Sequence, residues 1–261
     1  MNPSPELPLA PEAPVALHVD GRLMVVLMCS PWDLDELAIG HLFSRGIIAS
    51  HQDLKSLSIC PDMRSVTVFT MSGAAAAFEF EGCVFSGCGA ASLRIPPSAD
   101  QSTLKSPLEA SAMFSIDELS AWAREMFAAA ELYRKTGGLH VAALASRAQA
   151  SARGGDCASA EASDGYFVAR EDVGRHNAVD KVLGRGFLDR VDFHRSAILT
   201  SGRIAADMIQ KAAKAGVAVL VSRSIPTTEA YARALEAGVT LVGRIGSAHP
   251  IVYTWADRVL Y

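Results

Sequence analysis

The sequence predicts an α/β protein with two parts, a smaller β-rich α+β domain at the amino terminus and a larger α/β domain at the carboxy terminus. Through the second half, apolar runs of strand length alternate with helical patterns, as in βαβ units. Residues 94–114 are rich in Pro and small polar residues, which is typical of a connector. The net charge changes sign at about the same place.

The charge of the chain is divided unevenly. Residues 1–132 carry 7 Lys and Arg against 16 Asp and Glu, whereas residues 133–261 carry 17 against 12, giving net charges of −9 and +5. An anionic ligand is therefore expected on the second half. The total charge of −4 argues against extensive binding of nucleic acid, and the 50% hydrophobic content excludes disorder as the main state.

The first half is expected to begin with a hairpin. Val15–Val19 and Leu23–Met28 are apolar runs separated by Asp20-Gly21, a dipeptide that favours a type I′ turn. A helix is predicted from Ser30-Pro31 to Gly46, because Pro is tolerated in the first turn and Gly takes the left-handed conformation that ends helices. Further strands are predicted at 57–60, 64–70 and 76–83.

The second half is expected to begin with a capped helix. Ser115 and Glu118 have the spacing of a capping box ahead of a helical pattern. Later strands are predicted at 139–145, 166–170, 196–200, 217–222 and 239–243, and helices at 177–185, 203–215 and 227–237. The predicted segments are a flexible amino terminus at 1–14, an amino-terminal domain at 15–110 and a carboxy-terminal domain at 111–261.

The cysteines and the first residues predict a cytoplasmic protein. Five cysteines, at 29, 60, 83, 88 and 157, have no framework spacing, which indicates free thiols in a reducing compartment. The first residues lack a basic region and an apolar core, so no signal peptide is predicted. The apolar runs are shorter than the ~20 residues of a membrane-spanning helix.

The densest polar cluster is the stretch from Glu171 to Lys181, EDVGRHNAVDK. It follows a predicted strand and opens a predicted helix, and ligands bind at the carboxyl ends of strands in open α/β sheets. A solvated turn with local ion pairs is the simpler alternative. Asp180 and Lys181 are expected to hold this loop in shape. The candidate ligand contacts are Glu171, Arg175, His176 and Asn177.

Two further turns have similar settings. Ser201-Gly202-Arg203 follows a predicted strand and precedes a helix, whose first backbone N–H groups attract anions. Thr136-Gly137-Gly138 precedes His140, the first polar residue of another predicted strand. Each could be an ordinary turn, and a lone strand histidine is more often a core residue. Three such elements in one basic half favour a shared anionic, nucleotide-like ligand.

One cysteine lies in a setting that favours reactivity. Cys88 stands between Gly87 and Gly89, which indicates an exposed loop and an accessible thiol. The alternative is an incidental small residue in a turn.

Together these elements resemble the formate dehydrogenase accessory sulfurtransferase family, FdhD. The resemblance spans about residues 15–255, and its most specific string is EDVGRHNAVDK. The other matching segments are TGGLHVAAL at 136–144, LTSGRIAADMIQKAAKAG at 199–216, SIPTTEAYARALEAGVTLVG at 224–243, VYT at 252–254, VDGR at 19–22 and SPWDLDELAIGHLFSRGII at 30–48.

The resemblance implies both a function and a fold. Family members accept sulfur from a cysteine desulfurase as a cysteine persulfide and pass it to the bis-molybdopterin guanine dinucleotide molybdenum cofactor, which a formate dehydrogenase needs. The cofactor would be cargo, and the partners would be the desulfurase and the formate dehydrogenase apoenzyme. The carboxy-terminal domain would have a cytidine-deaminase-like, three-layer α/β/α fold, and the protein would be a cytoplasmic homodimer without nucleic acid or membrane partners.

The resemblance also assigns residues. Cys88 matches the first cysteine of the family's Cys-Gly-x-Cys-Gly loop and is the expected persulfide carrier, whereas Ala91 replaces the second cysteine. Cys83, five residues before Cys88, could take the place of that second thiol. Arg244 stands where the family has an aromatic residue, and Gly246 where it has an Arg. The expected cofactor contacts are Thr136, Gly137, Gly138, His140, Glu171, Arg175, His176, Asn177, Ser201, Gly202, Arg203, Arg244, Ile245, Gly246, Ser247, Ala248 and His249.

Two alternative functions are a cofactor-binding module and a zinc deaminase. Because Ala91 replaces a loop cysteine, the chain could be a non-catalytic module that binds the cofactor or a guanine nucleotide without moving sulfur. A zinc deaminase would need a His-x-Glu and a Pro-Cys-x-x-Cys. Ala142 stands where the glutamate after His140 would be, and the cysteine motif is absent from the sequence, so no zinc is predicted.

Overall fold

The computed structural model describes residues 8–73, 83–84, 108, 113–147 and 165–261. The strands that the structure describes before residue 110 are β1 (Ala13–Val19), β2 (Arg22–Cys29), β3 (Leu54–Ile59), β4 (Ser65–Thr70) and β5 (Cys83–Val84). They form one sheet in the order β3-β4-β1-β2-β5. The β5 strand pairs parallel to β2, with Cys83 opposite Val26.

The predicted hairpin is confirmed. Strands β1 and β2 pair antiparallel, and Asp20 and Gly21 between them have φ angles of 48° and 80°, as a type I′ turn requires. Helix α1 (Leu34–Phe43) begins later than Pro31, with Asp33 as its N-cap. Gly46 has a φ of 72°, which confirms a left-handed glycine after the helix. Of the strand predicted at 76–83, all but the last residue lies outside the described residues.

The second half contains a six-stranded mixed sheet in the order β12-β11-β10-β9-β7-β8. Its strands are β7 (His140–Ser146), β8 (Tyr166–Asp172), β9 (Ser196–Thr200), β10 (Val219–Ser222), β11 (Thr240–Gly243) and β12 (Ile251–Val252). Strands β9, β10 and β11 are parallel to one another. Strand β7 lies between β8 and β9 and runs antiparallel to both, so β8 has the same direction as β9.

The helices of the second half are α2 (Ile116–Ala129), α3 (Glu131–Thr136), α4 (Arg175–Leu188), α5 (Ala206–Lys214) and α6 (Thr228–Ala237). The capping box is confirmed, since the Glu118 N–H donates to Ser115 Oγ at 3.1 Å. Helix α5 starts after residue 203 because Ile204 forms a β-bridge with Pro226. The short α3 was not predicted from the sequence. Strands β6 (Phe114–Ser115) and β13 (Val259–Leu260) pair separately.

Apolar side chains cover both faces of the six-stranded sheet. One cluster joins Leu144 of β7 to α4, α5, α6, α1 and the inner face of the amino-terminal sheet. The other joins Val141, on the opposite face of β7, to α2 and to Val259 of β13. The first half therefore packs onto one face of the large sheet and shares a core with it.

Helices α1 and α4 touch backbone to backbone. A Cβ at Gly40 would lie 1.7 Å from the Asp180 carbonyl oxygen, and a Cβ at Gly184 would lie 1.8 Å from that of Glu36. Neither position has room for a side chain. This contact fixes α1 against the helix that begins at the candidate site.

A buried ionic cluster lies beside that contact. Asp180 accepts hydrogen bonds from Lys211 Nζ at 2.6 and 2.7 Å and from Ser44 Oγ at 2.9 Å, and it lies 3.2 Å from His41 Nδ1. Burial opposes the charge of Asp180, but Lys211 and His41 outweigh burial and hold its pKa well below the usual range. Asp180 therefore joins α1, α4 and α5, which is a structural role, but its side-chain partners lie outside the loop that it was predicted to hold in shape.

Candidate functional site

The polar turns predicted from the sequence meet at one edge of the six-stranded sheet. Strands β8, β9, β10 and β11 end at this edge, whereas β7 begins there because it runs the other way. His140, the first residue of β7, is paired with Asp172, the last residue of β8. Ala142 is paired with Thr200, the last residue of β9. We call this edge the carboxyl edge.

The turn before β7 is shaped by its glycines and its threonine. Gly137 ends α3 with a φ of 67°, a conformation that costs glycine little. Thr136 Oγ1 donates to the Leu132 carbonyl at 2.8 Å and accepts from the Gly138 N–H at 3.1 Å. These bonds place His140 at the start of β7. Burial, and then the neighbouring Arg175 and His176, lower the pKa of His140.

Glu171 lies at the edge but its carboxylate is already engaged. It accepts from the backbone N–H groups of Leu132, at 3.1 Å, and of Tyr133. Both groups belong to the first turn of α3, where backbone N–H groups have no partner within the helix. Glu171 therefore caps α3 and positions the turn that carries Thr136, which is a structural role for a predicted ligand contact.

Asp172 organises the turn that follows β8. Its fully buried carboxylate accepts from the Gly174 N–H at 2.8 Å, from Asn177 Nδ2 at 3.0 Å and from the Ser30 N–H at 3.1 Å. The second hydrogen of the Asn177 amide bonds the Met28 carbonyl at 2.8 Å. Asn177, also predicted as a ligand contact, thus joins this turn to the end of β2.

Lys181 completes this connection. Its fully buried ammonium lies 2.9 Å from the Asp172 carboxylate, and it donates to the carbonyls of Ser30 at 3.3 Å and Glu171 at 3.2 Å. The Trp32 ring lies over it, 5.1 Å from the ring centroid to Nζ. Burial raises the pKa of Asp172, an effect that the Lys181 charge opposes. Lys181 shapes the loop, as the sequence predicted.

The turn after β9 lies beside the first two. Ser201 Oγ accepts from the Val141 N–H at 3.0 Å and lies 3.3 Å from His140 Nδ1. The Gly202 N–H donates to Thr200 Oγ1 at 3.1 Å. Ser201 thus connects two of the predicted motifs directly, and Arg203 next to it is exposed.

Gly202 lets the first residue of α4 approach closely. A Cβ added at Gly202 would lie 3.0 Å from Cβ and 3.1 Å from Cδ of Arg175. The aliphatic part of Arg175 therefore lies across the glycine. This contact brings an arginine of the EDVGRHN turn next to the Ser201-Gly202-Arg203 turn, although 26 positions separate them in the sequence.

The structure adds a turn that the sequence analysis missed. Ser222 Oγ, at the end of β10, donates to the Gly202 carbonyl at 2.6 Å and accepts from the Ser224 N–H at 2.9 Å. Between them the exposed Arg223 lies over the Phe127 ring, 5.5 Å from its centroid. The sequence signal that could have identified Arg223 is its position directly after an apolar run of strand length.

The turn at 244–249 is held against this one. The Arg244 N–H donates to the Ser224 carbonyl at 2.9 Å and the Ile245 N–H to the Ser222 carbonyl at 3.1 Å. Ile245 packs its side chain into the core, so only its backbone faces the edge. The other predicted contacts here are exposed: Arg244, Gly246, Ser247, Ala248 and His249.

The carboxyl edge can therefore bind an anion. Exposed or partly exposed basic side chains come from four turns: Arg175, His176, Arg203, Arg223 and Arg244. The helix that begins in the edge at Arg175 adds the positive end of its dipole. Asp172 and Glu171, by contrast, are neutralised or engaged by protein groups.

A cleft opens next to the edge, along β8. It has a volume of about 350 Å³ and is lined by Trp32, Asp33, Ala129, Ala130, Val141, Ala169, Arg170 and Glu171. Arg170 is held there by two hydrogen bonds to Glu36, at 2.6 and 2.8 Å. The cleft separates the Trp32 segment from the junction between α2 and α3.

Two predicted features can be placed only in part. Cys88 and Ala91 lie outside the described residues, and β5, four residues before Cys88, ends at Val84.

In the part of the chain that the structure describes, no group of three or more His, Cys, Asp or Glu is arranged to hold a metal ion. No helix within the same part is long and apolar enough to cross a membrane.

The chain matches known proteins along almost all its length. Residues 10–260 match the model of the FdhD/NarQ family. A protein of Shouchella clausii named "Sulfur carrier protein FdhD" is 30% identical, over 97% of this chain and 90% of its own. One of the same name from Geobacillus kaustophilus is 32% identical, with the same coverage.

A solved structure is also similar. It is described as a formate dehydrogenase accessory protein from Desulfotalea psychrophila, and it superposes with a TM-score of 0.71 at 27% sequence identity. The match covers 97% of this chain and 90% of that one. The α/β architecture found here is therefore shared with an experimentally determined relative.

Proposed function

Since this chain belongs to the FdhD/NarQ family, we propose that it is a sulfur carrier that serves the maturation of a formate dehydrogenase. The observation that carries the proposal is the meeting of three family motifs at one edge. TGGLH, EDVGRHN and TSGR come from separate parts of the chain, yet His140, Arg175 and Ser201 belong to neighbouring turns there.

The proposed cargo is the bis-molybdopterin guanine dinucleotide molybdenum cofactor. Its phosphates would lie against the carboxyl edge, where guanidinium groups and a helix start favour negative charge. Arg175 and Arg203 are the central charged contacts, and Arg223 and Arg244 extend the basic surface along the strand ends. The basic half of the chain would thus hold the cofactor, as its charge predicts. A cytidine-deaminase-like layering remains part of this proposal.

Cys88 is the proposed sulfur carrier. Its thiolate would attack the outer sulfur of the desulfurase persulfide, forming a persulfide on Cys88 and releasing the desulfurase cysteine as a thiolate. The outer sulfur would then pass to the cofactor as its S–S bond breaks and Cys88 leaves as a thiolate; a reduced, Mo(IV) form of the cofactor would supply the two electrons that convert this sulfur to a sulfido ligand. Two described cysteines suit this step less well: Cys29 is buried, and burial raises its pKa to about 12, whereas Cys60 is exposed but lies outside the family motifs.

The pairing of β5 supports delivery of sulfur to the carboxyl edge. Strand β5 runs parallel to β2, with Val84 opposite Leu27. Three residues further along, Ser30 donates its N–H to Asp172 at the edge. Cys88 follows Val84 by four residues, which span at most about 14 Å when extended. This short connection supports the proposal that Cys88 delivers sulfur to the carboxyl edge.

A labelling experiment tests the carrier. The full-length protein would be incubated with a cysteine desulfurase and ³⁵S-cysteine, and the labelled peptide would be mapped without reductant. We expect label on Cys88, its loss in C88A and its retention in the exposed-cysteine control C60A. Activation of a formate dehydrogenase should fail with C88A. Normal activation by C88A, together with no label on Cys88 of the wild-type protein, would instead favour the non-catalytic cofactor-binding module.

The partners follow from the same proposal. A cysteine desulfurase would supply the sulfur and a formate dehydrogenase apoenzyme would receive the cofactor, in the cytoplasm, with the carrier as a homodimer. The name of the relatives, sulfur carrier protein, favours this proposal over a module that has lost sulfur transfer. Sedimentation of the purified protein, alone and with each partner, would test the assembly.

A further inference from the structure

One carboxylate behind the carboxyl edge, that of Asp207, is not among the ligand contacts named above. Asp207, the second residue of α5, places Oδ2 2.6 Å from Nε2 of His176, the second residue of α4. Helix α4 follows β8 and α5 follows β9, so this pair bridges the starts of two helices at the same edge. Asp207 Oδ1 also accepts from the Met208 N–H at 2.9 Å, which restrains the carboxylate.

The surroundings keep Asp207 ionised. Burial would raise its pKa, but His176 and Lys211 outweigh burial and hold the pKa below the usual value. Nε2 of His176 is not aligned with this carboxylate for a regular hydrogen bond, although the two atoms lie 2.6 Å apart. An ionised carboxylate only accepts hydrogen bonds, so this close contact favours a hydrogen on Nε2.

The orientation of the ring follows from this pair. His176 Nε2 is itself buried, whereas the side chain as a whole is 27% exposed. The accessible part of the ring therefore lies away from Asp207. The titratable groups that interact with His176 are His140 on β7 and Asp207 on α5; Arg175 acts on the same His140, and Lys211 acts on the same Asp207.

We infer that Asp207 is a positioning residue, which holds the Nε2 hydrogen of His176 and aims the opposite side of the imidazole at an anion bound to the carboxyl edge. Carboxylates commonly fix the tautomer and orientation of functional histidines in this way. The inference rests on the proposed function, because it takes the phosphates of the cofactor as the ligand.

A mutant cycle tests whether Asp207 acts through His176. Binding of GDP and of inorganic pyrophosphate would be measured by calorimetry for the wild-type protein, H176Q, D207N and H176Q/D207N. We expect D207N to weaken binding by about tenfold, the effect of a lost charge-assisted hydrogen bond. The double variant should bind no more weakly than H176Q. Unchanged binding by D207N, or fully additive losses, would overturn the inference.

Two further variants separate positioning from folding. D207E keeps the carboxylate and should restore most of the affinity. Asp117 occupies the same second position of α2 and is exposed, so D117N is the matched control and should bind like the wild type. If D207N does not fold, D207E still decides, because positioning through the carboxylate predicts that D207E binds more tightly than H176Q and that D117N binds like the wild type; a D207E protein that folds and binds as weakly as H176Q would overturn the inference.

The tautomer gives a readout that needs no ligand. A long-range ¹H–¹⁵N NMR spectrum, with His176 assigned through H176Q, should show hydrogen on Nε2 in the wild type and a changed pattern in D207N. A neutral ring protonated on Nδ1 would overturn the inference. Failure of the wild type to bind both GDP and pyrophosphate would instead count against the proposed function, since the tautomer measurement is independent of it.

Discussion

The ammonium of Lys181 lies 2.9 Å from the carboxylate of Asp172, and both side chains are fully buried. The two side chains also bind the backbone of the first half of the chain. Asp172 bonds the N–H of Ser30 and Lys181 bonds its carbonyl, so one residue of the first half is held at both backbone groups. The turn of the candidate site and the end of β2 are thereby fixed together.

Removing the Lys181 charge should therefore be costly. In K181M the Asp172 carboxylate would remain buried without its counter-ion, which typically costs 3–5 kcal/mol. Urea unfolding at pH 7 should show a decrease of about that size, with little change in K55M, where the lysine is exposed. A K181M protein as stable as K55M would show that the pair contributes little.

Substitution of Gly40 should separate α1 from α4. The added Cβ of G40A would overlap the Asp180 carbonyl oxygen, which it would approach to 1.7 Å. We expect a loss of about 3 kcal/mol or more, because the two helices can only move apart. The control is G46A: its added Cβ would contact only Lys214, at 3.7 Å, so the φ of 72° leaves a conformational cost of about 1 kcal/mol. If G46A unfolded at a lower temperature than G40A, this packing would be contradicted.

Substitution of Gly202 should affect binding more than stability. In G202A the new Cβ would meet Cβ and Cδ of Arg175 at 3.0 and 3.1 Å, so the arginine would have to shift. Under the proposed function, we expect affinity for pyrophosphate to fall roughly fivefold, since small overpacking displaces side chains. In an R175A background, G202A should cause no further loss. If R175A bound pyrophosphate as tightly as the wild type, Arg175 would not contribute to binding, and the predicted effect of G202A would have no basis.

Stability should fall on acidification because of His41. This histidine is buried, and burial first, then Arg45, lower its pKa from 6.5 to about 4. Between these values the unfolded chain binds a proton that the folded chain does not, so stability decreases as the pH falls from 6.5 to 4. The loss is about 3 kcal/mol at pH 4.

Urea titrations at pH 7 and pH 4.5 would measure this dependence. H41Q should flatten it, because glutamine does not titrate. Two carboxyl groups with raised pKa, Glu36 and Asp172, act in the opposite direction at low pH in both proteins. The difference between the wild type and H41Q therefore reports His41 together with its effect on Asp180, and parallel profiles would show that protonation of His41 is not linked to folding.

Much of the fold could be predicted from local patterns. Asp20-Gly21 makes the predicted turn, Ser115 and Glu118 make the predicted capping box, and the alternating strands and helices after residue 139 lie near their expected positions. Such features depend on residues a few positions apart, so a sequence displays them directly. Helix α3 was missed because six residues carry too little periodicity to identify a helix.

The sequence alone also placed His140, Arg175 and Ser201 in turns next to strands, and predicted a ligand site in the basic half. Only the tertiary structure decided how these turns meet. Because β7 runs antiparallel between β8 and β9, a residue at the start of one strand joins residues at the ends of others. Likewise, the contact of His176 with Asp207 depends on how α4 and α5 pack, and pairs 31 positions apart leave no periodic signal in the sequence.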